Sequence, residues 1–246
     1  MLKKLKYILF LPFEDFLSGL DRAIGKSAPV NVALVVLIFV VTWWIYVPIH
    51  ELCHAFGCIL GGGTVTELEI SPKYGGAILQ KIFPFVSSGS EYAGQLTGFD
   101  TGGNDLTYLL TDFFPFLLTV LIGVPLLRSA PRSTPLGAAV RLGISLPIAF
   151  APFISFSGDY YEMGSIIVSR IGALFSPSLD INRWRSDDLF KLSDELFFSG
   201  THYGIGDIAG VLVSFILGIV LVYGTYYLGV LFSGMLSRFP KRRDAP

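Results

Sequence analysis

The chain has 246 residues, of which 52% are hydrophobic and 15% charged, with a formal net charge of -1 and a mean hydropathy of +0.62. An average soluble domain carries roughly 25% charge, so this balance excludes a disordered chain, a collagen-like repeat, a coiled coil and a basic nucleic-acid-binding domain. It predicts an all-α polytopic membrane protein with the lipid bilayer as its surroundings.

Residues 1–29 come first, rich in lysine and then apolar. Their apolar core is short, and Glu14 and Asp15 follow it without a small-residue cleavage site, which argues against a cleaved signal peptide. A basic amphipathic helix lying at the membrane interface is expected instead. The first span covers residues 30–60 and carries Glu51 and two histidines. As one helix it would reach ~45 Å at ~1.5 Å per residue, against a bilayer core of ~30 Å. It must therefore tilt, break or continue past the membrane surface.

Gly61-Gly62-Gly63 stops that helix. In the next segment Leu68 and Ile70 alternate with Glu67 and Glu69, a strand pattern. Pro72-Lys73-Tyr74-Gly75-Gly76 is turn chemistry, and Ala77-Ile78-Leu79 can return, which predicts a small β-hairpin. Residues 87–104 read as a polar, glycine-rich loop. Three further spans are expected over residues 106–127, 135–156 and 208–236. Asp112 is the acid in the second, and Arg141 is near enough to the start of the third to snorkel. A short fifth or re-entrant helix over residues 160–175 is the open point of this topology, and residues 237–246 form a basic tail.

Three basic clusters orient the spans: Lys3, Lys4, Lys6, Arg22 and Lys26; Arg128 and Arg132; and Arg238, Lys241, Arg242 and Arg243. The remaining connections are acidic. Four spans with both termini cytoplasmic satisfy the positive-inside rule at each basic cluster.

The chemistry is concentrated at His50-Glu51-Leu52-Cys53-His54. Histidines four residues apart share one face of a helix and can bind one zinc ion, while the glutamate between them can take a proton from its water. The chain has 3 histidines in all, and two of them make this motif. Ionisable groups inside a membrane span mark function by default. Cys53 and Cys58 share this apolar stretch and imply no disulfide framework; their spacing puts them on different helix faces, as small packing residues rather than ligands.

A span bearing H-E-x-x-H, a glycine stop, a small β element and later spans with a late aspartate resembles the site-2 protease family of intramembrane zinc metalloproteases. The resemblance covers roughly residues 30–164. It implies a zinc metalloendopeptidase cleaving membrane-protein substrates, with Zn2+ as cofactor, His50 and His54 as ligands and Glu51 as general base. The family's third ligand is an aspartate in Leu-Asp-Gly. Here that motif is absent, and Ser157-Gly158-Asp159-Tyr160-Tyr161-Glu162 stands 105 residues after His54 in its stead. The usual Asn-x-x-Pro lead-in is also missing, which marks a divergent member. Asp159 is the first candidate for third ligand and Glu162, one helical turn on, the second. His202 and Asp112 follow, with Asp112 read as nearer the opposite end of its helix. Family and size together imply a prokaryotic plasma membrane.

Two other functions stay open at this point. One is a membrane zinc hydrolase acting on a lipid or non-peptide amide, and the other is a non-catalytic metal-binding scaffold. The segment between the first two spans leaves no room for a separate substrate-sensing domain, and no nucleic-acid partner is expected. Oligomeric state is left undetermined.

Overall fold

The computed structural model describes residues 2–25, 28–90, 92–176, 178–186, 188–198 and 204–238. In chain order the elements are α1 (Leu2–Ile24), α2 (Ala28–Leu60), β1 (Thr64–Ile70), a single-turn α3 (Gly76–Leu79), β2 (Val86–Ser88) and β3 (Gly94–Asp100). Then come α4 (Asp105–Phe113), α5 (Val124–Ser129), α6 (Pro135–Ala149), α7 (Ala151–Ile154), α8 (Asp159–Phe175), α9 (Leu189–Phe197) and α10 (Ile205–Arg238).

Three stretches are long and apolar enough to cross a membrane: Pro29–Leu60, Asp105–Arg132 and Ile205–Arg238. A fourth forms if Pro135–Ala149 and Ala151–Ser157, bent by 45°, make one span. Exposed valines and leucines such as Val36, Leu37 and Val40 suit a bilayer as solvent. This is a membrane protein with three or four such spans.

The second span is not one regular helix. Pro115 lacks the amide that a helix needs, and the chain passes through a 3-10 turn at Phe114–Phe116 and a π-helical turn at Thr119–Gly123 before α5. The segment that carried the open question forms α8, whose 17 residues span ~25 Å, short of the ~30 Å hydrocarbon core.

The chain divides into two compact units. The first comprises the described residues of Met1–Trp43, Leu117–Ala151 and Tyr223–Pro246. Here α1 packs on α5 and α6. Gly19 permits the close approach: a Cβ there would lie 2.8 Å from Leu142 Cδ2 and 3.3 Å from Ala130 Cβ. Asp15 of α1 accepts hydrogen bonds from Arg128 Nη1 at 2.7 Å and Tyr226 Oη at 2.9 Å. Burial nonetheless pushes the Asp15 carboxyl above the usual carboxylate range.

The second unit comprises the described residues of Trp44–Phe116 and Pro152–Val222. Its sheet has the order β2-β1-β3, with β1 parallel to β2 and antiparallel to β3. Leu68 and Ile70 are fully buried and pack with Leu52 and Ala55 of α2 and with Val86. The alternating pattern of β1 is therefore real, but its partner is not the expected return at 77–79. Those residues close the helical turn α3, entered through Gly75 at φ 83°. The antiparallel partner is β3, inside the segment read as a loop, with Ile70 opposite Gly94 and Thr64 opposite Asp100. The predicted hairpin is thus a three-stranded sheet.

Helix α8 lies between α4 and α10. Gly164 and Gly218 let two backbones meet: a Cβ on Gly164 would sit 2.3 Å from the Ser214 carbonyl oxygen, and one on Gly218 2.8 Å from that of Tyr160. Gly210, Ser214 and Gly218 recur every fourth residue on α10, the small-residue spacing by which membrane helices approach closely. Arg183 pairs with Asp207 at the start of α10, and Arg185 pairs with Asp105 at the start of α4.

Candidate metal centre

His50 and His54 lie one turn apart on α2 and face the same side, as their spacing demands. Their Nε2 atoms are 3.2 Å apart. Asp159, the first residue of α8, brings Oδ2 to 3.7 Å from His50 Nε2 and Oδ1 to 3.7 Å from His54 Nε2. One ligand atom from each of the three residues lies within 4.8 Å of the others. Both histidines are buried.

The other ring nitrogens are engaged. His54 Nδ1 lies 2.9 Å from the carbonyl oxygen of Thr111, which only accepts, so Nδ1 donates and Nε2 is the nitrogen turned towards His50 and Asp159. His50 Nδ1 lies 3.0 Å from the Tyr46 hydroxyl. Phe116, fully buried, packs edge-on to His50 with ring centroids 5.4 Å apart and also against Tyr160. Ligand orientation is thus set from Tyr46 on α2 itself and from Thr111 on α4.

The donor set suits zinc. Ligands about 2.0–2.2 Å from one tetrahedral ion stand roughly 3.3–3.6 Å from each other, close to the separations here. Two imidazole nitrogens and one carboxylate would supply three of the four ligands of a tetrahedral ion.

Glu51 is half-buried on the same helix and lies against β3. A Cβ on Gly94 would be 2.5 Å from Glu51 Cγ and 3.0 Å from its Cδ, so only glycine lets the strand run this close. Glu162 is buried and accepts a hydrogen bond from Tyr108 Oη at 2.6 Å. It stands outside the group formed by His50, His54 and Asp159. Asp112 is 4% exposed and its Oδ2 has no hydrogen-bond partner. Its neighbour Thr111 contacts His54, so Asp112 belongs to the site end of α4 rather than the far end expected from sequence. His202 lies outside the described residues. Cys58 is buried against Gly63, and neither cysteine joins the group.

Sequence reasoning passes over Thr111, Tyr108 and Gly94, and reads Tyr46, with Trp43 and Trp44, as packing around the site as readily as an interface belt. Tyr46 had a readable signal, four residues before His50 and so on its face. Thr111 acts through its backbone, and no side-chain pattern could have shown it. The chain matches no protein-family model, and comparison with curated proteins and with solved structures gives no match.

Proposed function

We propose that this protein is an intramembrane zinc metalloprotease that hydrolyses peptide bonds of membrane-spanning substrates. The observation that carries the reading is the convergence of His50, His54 and Asp159 from two separate helices, with Glu51 beside them. His50 Nε2, His54 Nε2 and a carboxylate oxygen of Asp159 would hold the zinc, which supplies Lewis acidity and a water of lowered pKa. Glu51 takes one proton from the attacking water as the new C–O bond forms. It then returns that proton to the leaving nitrogen as the C–N bond breaks. Tyr46 and the Thr111 carbonyl hold the imidazoles in register throughout.

A substrate helix must unwind before its carbonyls can be attacked, because they are hydrogen-bonded within the helix. Strand β3 pairs with β1 along one edge and is an outer strand of the sheet. An extended substrate segment pairing along its other edge would be held as an added strand, and Gly94 places the start of that strand at Glu51. The deciding experiment uses Glu51→Gln, reconstituted with a single-span substrate. Loss of cleavage with zinc retained is expected; unchanged cleavage would overturn the mechanism.

A further inference from the structure

A second site stands apart from the metal ligands, along α4 and α8. Leu106, Leu109 and Phe113 of α4, Met163 and Ile167 of α8, and Leu221 of α10 line an open groove of about 290 Å³. Every lining side chain is hydrocarbon or thioether, and nothing in it offers a hydrogen bond to a peptide.

One end of this groove is charged. Leu106 directly follows Asp105, and Ile167 is one turn before Arg170 on α8. Arg170 Nε donates to Asp105 Oδ2, and Arg185 donates from Nη1 and Nη2 to the same carboxylate at 3.0 and 2.9 Å. Two guanidiniums therefore share one acid, leaving a surplus of one positive charge. Their donors also outnumber its acceptors: each guanidinium has five N–H groups, and Arg185 Nε is buried without a partner. The Arg170 side chain is 50% exposed. Asp105 is also the first residue of a span-length apolar stretch, at the end where a bilayer's hydrocarbon would give way to headgroups.

We infer that this groove binds an anionic phospholipid, its phosphate on Arg170 beside the Asp105–Arg185 pair and one acyl chain along the α4–α8 groove. Charge and shape agree on this occupant. Arginine is the residue suited to phosphate, basic pockets between membrane helices take anionic headgroups, and the apolar lining suits a chain without polar groups. A peptide would leave its backbone unsatisfied in the same place. The site would tie α8, and through it Asp159, to the lipid around the protein.

The test is native mass spectrometry of the full chain, delipidated in mild detergent and offered equal amounts of dioleoyl phosphatidylglycerol and dioleoyl phosphatidylcholine. Phosphatidylglycerol should be retained over phosphatidylcholine by about fivefold, the worth of one surplus cation near a headgroup. Arg170→Gln should bring the ratio to near one, and Arg170→Lys should keep most of it. Leu109→Trp, which fills the groove, should lower retention of both lipids without changing their ratio. Monodisperse elution and unchanged circular dichroism check the fold of each variant. Equal retention by the unmodified protein, or a preference that Arg170→Gln does not move, would overturn the site. So would competition by glycerol phosphate as effective as that by the intact lipid, since the chain would then contribute nothing. Neither zinc nor proteolysis enters these measurements, so their outcome is independent of the proposed activity.

Discussion

The two units of this protein treat polar groups in opposite ways. In the first, Asp15, Asn31 and Thr119 are each closed by a neighbour. Asp15 takes Arg128 and Tyr226, Asn31 donates to the Ala23 carbonyl, and Thr119 donates to that of Ile148. In the second, two histidine nitrogens and a carboxylate face each other, and Asp159 is paired with the histidines rather than with a lysine or arginine. Asp112 even keeps a buried oxygen without a partner. Burying a polar group without a hydrogen bond costs roughly 1–3 kcal/mol on mutational scales, so such groups accumulate where chemistry requires them. The difference teaches where to look for function: the charges a fold leaves unbalanced say more than the charges it contains.

The largest effect should come from the ligands. His54→Ala and Asp159→Ala are expected to lose bound zinc and all cleavage, measured as metal content of the purified protein beside substrate turnover. Glu162→Gln should keep its zinc, and if it loses the metal while Asp159→Ala retains it, the third ligand has been misassigned. Glu51→Gln should lower kcat by at least about 10²-fold at constant zinc content, the usual weight of a general base.

Gly94→Val comes next. Its side chain would enter the space of Glu51 Cγ, so cleavage should fall while zinc content holds. Normal activity in that variant would mean that β3 does not run along the reacting groups. Tyr46→Phe removes the hydroxyl facing His50 Nδ1 and should weaken zinc binding by about tenfold, read by competition with a chelator.

The smallest effect belongs to the first unit, where the contrast between the units can fail. Asp15→Asn should destabilise the protein by about 1–3 kcal/mol, as a charge-assisted bond is lost and Arg128 is left without its acid. Thermal unfolding in detergent would measure this. Zinc content should not change. If Asp15→Asn empties the metal site, polar groups of the first unit are not merely structural and the contrast is wrong.

Much was legible in the sequence because it is written locally. Span-length apolar runs need no partner to be recognised, since a bilayer demands that every backbone group be satisfied within the segment. His50, Glu51 and His54 are tied together by one helical turn, so their shared face follows from spacing alone. The sheet was only half readable. Leu68 and Ile70 announce β1, but Gly94–Asp100 carries two glycines and no alternating apolar face, and becomes a strand only because β1 offers it an edge. Asp159 stood in the same uncertainty. The family resemblance and the order of the spans offer it ahead of Glu162, and only the packing of α8, whose Gly164 admits the backbone of α10, brings Asp159 rather than Glu162 into the histidine group. The Thr111 carbonyl at His54, the bare Oδ2 of Asp112 and the two guanidiniums on Asp105 join residues 57 or more positions apart or depend on burial. Such facts arise when helices pack, because long-range contacts are chosen by shape and charge across the fold and leave no period in the chain.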